Sequence, residues 1–179
     1  MKTLNQLFIY ITFILTLIAF PASSSEEYAD IKTPKELGLP ALLWEGLDET
    51  DKKTEVLQSS WFDSGSGPGQ LEWQDQYYQS QLLSTAFASG YMTSINYSWS
   101  GTFNGWNNVE VYLAIVAPDG QVVGSADVTN SSSGTLSVPS QEYPASYSIG
   151  FVYIVNQQPR VMIYQGPFFG GVSVTVLYQ

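Results

Sequence analysis

The sequence has 179 residues and a formal net charge of −10, and it contains neither cysteine nor histidine. The missing thiols exclude disulfides, thiolate metal sites and cysteine nucleophiles, and the missing imidazole excludes Ser-His-Asp catalysis and nearly every catalytic zinc site. The acidic balance makes nucleic acid a poor partner, because phosphates repel a negatively charged surface.

The N-terminal segment 1–25 has the composition of a secretory signal peptide. Lys2 precedes an apolar-rich run over residues 7–20, and small residues follow that run. These 14 residues are short for a membrane span of about 20, which favours a cleaved signal over a retained anchor. We therefore predict cleavage after Ser24 or Ser25, a single-domain mature chain that is secreted or periplasmic, and no membrane span once the signal is removed.

An acidic N-terminal arm, residues 26–68, is predicted to follow the signal peptide. Residues 26–75 hold twelve of the 16 acidic residues, whereas residues 76–179 hold only four. A change in composition of this size separates an irregular or short-helical region from a packed body. The stretch SGSGPG at 64–69 predicts a flexible link or a tight turn. We expect the arm to be ordered only where an apolar group docks, namely Leu42, Leu43 and Trp44.

The remainder, residues 69–179, predicts an all-β domain: an antiparallel β-sandwich or jelly roll of about seven to nine strands. Short runs rich in Val, Ile and Tyr are separated by Gly, Pro, Asn or Asp at intervals of about 10 residues. The predicted strands are 91–103, 109–116, 121–128, 135–138, 146–155, 161–165 and 172–178. Turns are predicted at 118–120 (PDG) and at Gly170–Gly171. Residues 70–87 are ambiguous between helix and strand, with strand favoured from about Gln81.

Two stretches resemble the pre-peptidase C-terminal type of β-sandwich. They are VEVYLAIVAPDGQVVGS at 109–125 and GTLSVPSQEYPASYSIGFVYI at 134–154. In that family a strand runs into a Pro-Asp-Gly turn, and a later strand carrying a tyrosine, here around Tyr147, crosses the sandwich. The resemblance covers residues 91–179, about half of the chain. It implies an appended module with a role in binding and secretion rather than in catalysis.

Carboxylates are the remaining route to catalysis, and a glycoside hydrolase needs two of them. Glu72 and Asp75 lie in an aromatic neighbourhood, and Glu110 lies on a predicted strand on the face opposite Val109 and Val111. Nothing in the sequence places Glu72 near Glu110. We therefore predict no catalytic residue.

Calcium is the one metal that this composition allows, because it binds oxygen ligands alone. Asp119, Asp127 and Asn130 are the possible ligands, but they lack the dense spacing of a loop site. Asp119 is better explained as a turn former. We predict no metal site and no cofactor.

Aromatic residues make up 15% of the chain and point to a possible binding surface. Flat rings next to Asn, Ser and Gln suit sugars, whose apolar faces stack on rings while their hydroxyls bind amides. Residues 97–108 and 164–171 combine these types, and loops on a rigid scaffold commonly carry binding residues. The predicted ligand-binding residues are Trp99, Trp106, Asn107, Asn108, Phe168 and Phe169. For Trp99, a place in the core is the favoured alternative.

Three functional hypotheses follow. The first is an exported, non-enzymatic binding module for a polar ligand such as carbohydrate, or for a cell-surface component. The second is a structural or assembly protein of the cell surface, a homo-oligomer formed through the arm (26–63) or through edge strands. The third is a carboxylate-dependent glycoside hydrolase. The sequons at Asn96 and Asn130 carry glycans only in a host that glycosylates secreted proteins.

Overall fold

The computed structural model describes residues 31–33, 36–38 and 59–179, and these residues form an all-β domain. Its strands are β1 (Ser59–Gln70), β2 (Tyr78–Gln79), β3 (Met92–Thr102), β4 (Val109–Val116), β5 (Val122–Asp127), β6 (Ser133–Ser137), β7 (Ser148–Val155) and β8 (Phe168–Tyr178). The described residues contain no α-helix. In this part of the chain there is accordingly no helical segment that could cross a membrane.

The strands form two antiparallel sheets of four strands each. The first sheet has the order β1-β8-β3-β6 and the second has the order β2-β7-β4-β5. The pairs β1 with β8, β2 with β7, β3 with β6 and β4 with β5 are nested, as if one long hairpin had been rolled into two layers. This pairing is consistent with an eight-stranded jelly roll. The prediction of an all-β antiparallel fold is confirmed for the described residues.

One apolar core joins the two sheets. Alternate residues of β3 and β8, among them Ile95 and Val176, enter it from the first sheet, and Leu113 and Phe151 enter it from the second. Because residues of both sheets share one buried cluster, the sheets pack face to face as a sandwich.

The second sheet is apolar on both of its faces. Every residue of β7 is buried, and so is every residue of β4 except the half-buried Glu110. Leu37 and Leu82 pack against the face turned away from the core. We call the buried residues of that face the outer cluster: Tyr112, Ala114, Val116, Val122, Val152 and Ile154. Burial on both faces explains why β4 and β7 are nearly continuous apolar runs in the sequence.

The described residues of the arm lie against this second sheet. Lys32 and Ser125 of β5 form a β-bridge with backbone hydrogen bonds in both directions, of 2.6 and 2.7 Å. Leu37 packs on the outer cluster, and the Tyr77 hydroxyl donates to the Gly38 carbonyl oxygen at 3.1 Å. The predicted docking of Leu42, Leu43 and Trp44, like the predicted signal peptide 1–25, lies outside the described residues.

The first strand begins before the predicted boundary between arm and sandwich. β1 starts at Ser59 and continues through 64–69, the stretch predicted to be a link or turn. The register against β8 shifts within that stretch, where a Cβ on Gly67 would lie 2.6 Å from the Phe169 carbonyl oxygen. Gly67 is therefore required by the close approach of the neighbouring strand β8. A glycine-rich composition alone does not distinguish such a strand from a linker.

The last strand also differs from its prediction. β8 begins at Phe168 and runs through Gly170–Gly171, which was expected to form a turn. Phe169 pairs with a glycine on each neighbouring strand, Gly69 of β1 and Gly101 of β3. A Cβ on Gly101 would collide with the Phe169 ring, so this ring lies across Gly101.

Two further stretches differ from their predictions. Residues 161–165, a predicted strand, lie in the loop before β8 and form only an isolated bridge between Met162 and Trp73. The ambiguous stretch 70–87 is not helical and contains β2 and an isolated bridge from Leu83 to Ile149.

Candidate functional site

Three loops come together at one end of the sandwich. They are residues 71–77, 103–108 and 156–167, and we call the surface that they form the loop end. The antiparallel order of the strands brings them together, because β1, β3 and β7 end there and β2, β4 and β8 begin there.

Side chains of the second loop bind the third loop directly. Asn104 Nδ2 donates to the Gly166 carbonyl oxygen at 2.8 Å, and Trp106 Nε1 donates to the Gln165 carbonyl oxygen at 3.4 Å. The two stretches that the sequence marked as aromatic and amide-rich therefore meet in space.

The first and third loops run antiparallel to each other. The Ile163 backbone N–H donates to the Glu72 carbonyl oxygen at 2.7 Å, and Trp73 bridges to Met162. This short ladder brings the exposed apolar side chains of the two loops into one region. These side chains are Trp73, Tyr77, Val161, Met162 and Tyr164, and the exposed Phe168 follows at the start of β8.

A shallow, open cleft lies where the loop end meets β1 and β8. Its volume is about 480 Å3, and it is lined by Gln70, Asn104, Gln165, Gly166 and Phe168. The Phe168 side chain is 49% exposed, and each of the three amide side chains carries both donors and an acceptor. An exposed ring beside amides can stack on a sugar ring and bind its hydroxyl groups.

Backbone geometry fixes the shape of this cleft. A Cβ on Gly166 would collide with the Leu71 carbonyl oxygen, so no other residue fits there without moving the first loop. Asn104 and Gly105 have φ values of 50° and 84°, and this left-handed turn directs the Asn104 side chain toward Gly166. The Asn104 Oδ1 atom also accepts a hydrogen bond from the Thr102 hydroxyl at 2.8 Å, which holds the amide in place.

Two of the predicted ligand-binding residues are buried. Trp99 is 8% exposed, and its indole N–H donates to the carbonyl oxygens of Val128 and Ser131 at 3.3 and 3.1 Å. Phe169 is 0% exposed and packs against Trp99 with 5.7 Å between ring centroids. Both rings belong to the core, and Phe169 lies on β8 and not in a binding loop.

The other four predicted residues lie at the loop end or beside it. Phe168 lines the cleft, Trp106 is half-buried and Asn107 is exposed. Asn108 Nδ2 donates to the Asn156 carbonyl oxygen at 3.2 Å, so this amide joins the second loop to the third. Their binding of a ligand stays a prediction.

Sequence reasoning missed the exposed apolar residues of the third loop. Met162 and Tyr164 were assigned to the predicted strand 161–165, VMIYQ. The preceding residues, QQPR at 157–160, contain a proline and no apolar residue, and this composition is the sequence signal for a loop.

The carboxylates considered for hydrolysis do not line the cleft. Glu110 lies on β4, and its two oxygens accept hydrogen bonds from the Tyr112 hydroxyl at 2.6 Å and from Asn156 Nδ2 at 2.8 Å. Burial raises the pKa of Tyr112, and the hydrogen bond to Glu110 raises it further. Glu72 is exposed on the first loop.

The acids considered as calcium ligands form turns instead. Asp119 Oδ1 accepts from the Gln121 backbone N–H at 3.0 Å, which confirms its predicted role in the PDG turn, and Asp127 Oδ1 accepts from the Thr129 N–H at 2.9 Å. Over residues 59–179 and the two short arm segments, no three carboxylates come together in a group that could hold a metal ion.

Comparison with solved structures finds a similar fold. The chain resembles the crystal structure of FlhE with a TM-score of 0.57 and 21% sequence identity, over 69% of this chain and 99% of the FlhE chain. At this identity the likeness shows the fold alone. No family model and no curated protein matches the sequence. The resemblance to pre-peptidase C-terminal domains stays a prediction.

Proposed function

We propose that the mature chain is an exported, non-enzymatic binding module that holds a polar ligand at its loop end, with carbohydrate as the favoured class. The observation that carries this proposal is the cleft, in which the exposed Phe168 ring stands beside the amides of Gln70 and Gln165. The composition of segment 1–25 supports a secreted or periplasmic location.

The chemistry of the chain favours binding over catalysis. It has no histidine or cysteine, and the residues that line the cleft carry no ionisable side chain. Glu110, a carboxylate on a rigid strand, is bound by Tyr112 and Asn156. The residues that line the cleft can therefore stack on a sugar and form hydrogen bonds with it, but they supply no acid, base or nucleophile for a reaction.

A glycan array followed by calorimetry tests the proposal. We expect wild-type protein to bind a subset of glycans and Phe168→Ala to weaken that binding at least tenfold, about 1.4 kcal/mol. The matched control is Phe87→Ala, because Phe87 is 92% exposed but lies between β2 and β3, at the opposite end of the sandwich. Absence of any glycan binding, or an equal loss in both variants, contradicts the proposal.

One observation favours assembly as a second candidate function. β5 is an edge strand, and Lys32 of the same chain forms a β-bridge to its residue Ser125. If two copies exchanged their arms, the same bridge would form between the two chains. Light scattering over a range of concentrations should then show oligomers that are lost when residues 26–38 are deleted. A monomer at every concentration rules this candidate out.

A further inference from the structure

Arg160 is the only cation in residues 54–179, in a chain whose net charge is −10. It lies in the third loop of the loop end, where one guanidinium nitrogen donates to Gln76 Oε1. Its guanidinium carbon lies 5.7 Å from the centroid of the Trp73 ring. In this acidic molecule the single cation of the sandwich is therefore held by a neutral amide and an aromatic face.

The carboxylate of Asp75, next to Gln76 in the chain, binds Gln158 and not Arg160. Asp75 precedes Gln76 in the first loop, and its Oδ2 atom accepts a hydrogen bond from Gln158 Nε2 at 2.5 Å. Among the described residues, the side chain of Arg160 contacts Gln76 and Trp73 and forms no ion pair. Of the five N–H donors of a guanidinium, most remain free to bind a ligand.

The guanidinium and the cleft both belong to the loop end. The chain runs from Gln70, which lines the cleft, to Trp73, whose ring centroid lies 5.7 Å from the guanidinium carbon of Arg160, and three residues of extended backbone span at most about 10 Å. The ladder between the first and third loops joins the loop that carries Trp73 to the loop that carries Arg160. A distance of this size suits neighbouring units of an oligosaccharide rather than a single sugar ring.

We infer that Arg160 and Trp73 form a subsite for an anionic group on the glycan, so that the preferred ligand is an acidic polysaccharide. The planar guanidinium fork matches the oxygens of a carboxylate or sulfate group in a bidentate contact, and the face of the Trp73 ring, 5.7 Å from the guanidinium carbon, attracts the same cation. The rest of the molecule repels polyanions, so binding of one depends on this local contact. The inference rests on the proposed function of the loop end.

Matched acidic and neutral glycans test the subsite. The probes are polygalacturonate oligomers, the same oligomers as methyl esters, sulfated dextran and plain dextran, each titrated by calorimetry. We expect at least one charged probe to bind tenfold or more tightly than its neutral counterpart. The two pairs show whether a carboxylate or a sulfate is preferred, and either result supports an anionic subsite.

Variants separate this inference from the proposed function. Arg160→Gln should abolish the preference for the charged probe and leave binding of the neutral one unchanged, whereas Phe168→Ala should weaken both. Lys32→Gln is the matched control, because it removes one positive charge from a residue that forms its bridge to Ser125 of β5 and not to a residue of the loop end. Equal binding of charged and neutral probes, or a preference that survives Arg160→Gln, overturns the subsite alone. Absence of binding to all probes and to the glycan array overturns the proposed function as well.

Discussion

Tyr153 carries a buried polar atom that the fold leaves without a partner. Its side chain is 0% exposed, and its hydroxyl has no hydrogen-bond partner in the described part of the chain. Burial raises the pKa of Tyr153, which keeps the phenol neutral. The ring lies 4.4 Å from the Phe169 ring, measured between centroids, so its aromatic carbons pack well. The ring is thus favourable in the core, whereas the hydroxyl is not.

Removal of this hydroxyl should stabilise the protein. We expect Tyr153→Phe to raise the free energy of unfolding by about 1–3 kcal/mol, the cost of a buried unsatisfied polar group. The matched variant is Tyr112→Phe on the neighbouring strand, which loses a hydrogen bond to Glu110 and should lower the same free energy by about 1 kcal/mol. Urea titrations followed by tryptophan fluorescence measure both. Destabilisation by Tyr153→Phe contradicts the assignment of an unpaired hydroxyl.

At the scale of elements, the loops depend on glycines where backbones approach closely. Gly166→Ala should force the first and third loops apart, because its Cβ meets the Leu71 carbonyl oxygen, and overpacking of this kind costs about 1–3 kcal/mol. Gly170→Ala is the control, since no atom lies closer than 3.5 Å to the added Cβ, and its effect should stay within about 0.5 kcal/mol. Thermal unfolding measures both variants. Equal melting temperatures show that the loops adapt to a side chain at Gly166.

The arm gives a second prediction at this scale. Lys32→Pro removes the N–H that donates to Ser125, whereas the control Lys32→Ala removes the same charge and keeps the bridge. We expect only the proline variant to loosen the arm, expose the outer cluster and increase the fluorescence of a hydrophobic dye such as ANS. Hydrogen exchange at the Ser125 amide, which bonds Lys32, should accelerate in the same variant. Identical behaviour of both variants shows that the bridge does not hold the arm.

Strands with a strong local pattern could be predicted from the sequence, and strands defined by distant partners could not. The predicted bounds 109–116 coincide with β4, and 146–155 differs from β7 only at its first two residues. β1 was missed because Gly67 is explained by Phe169, about 100 residues later in the chain. No local rule connects a glycine with an aromatic residue at such a separation.

At the scale of the whole molecule, the site follows from the order of the strands. The sequence marked the stretches that contain Trp106 and Phe168 as binding loops, and these do meet. It did not indicate that the loop with Trp73 joins them, because that contact depends on the pairing of β1 with β8 and of β2 with β7. No role for Arg160 could be predicted from the sequence, because its contacts with Gln76 and Trp73 arise from the same long-range pairing.

The whole chain lacks the side chains that usually titrate near neutral pH, and this absence determines how its free energy of unfolding depends on pH. With no histidine or cysteine, no side chain of ordinary pKa changes charge between about pH 6 and 9, so the free energy of unfolding should be nearly constant there. Burial, as the larger cause, and the neighbouring Glu142 together raise the pKa of Tyr143 from 10.0 to about 12. A raised pKa means that the folded state favours the neutral phenol. The contribution of Tyr143 to the free energy of unfolding is therefore fully present below pH 10.0 and is lost as the pH rises to about 12.

Urea titrations at a series of pH values measure this profile. We expect a constant midpoint from about pH 6 to 9, followed by a fall above pH 10.0 that Tyr143→Phe makes smaller. Tyr164→Phe is the control, because this side chain is 88% exposed. A fall that begins near neutral pH contradicts the argument, since no side chain of ordinary pKa in this sequence titrates there. A fall above pH 10.0 that Tyr143→Phe leaves unchanged assigns the alkaline transition to the other buried phenols, Tyr112 and Tyr153.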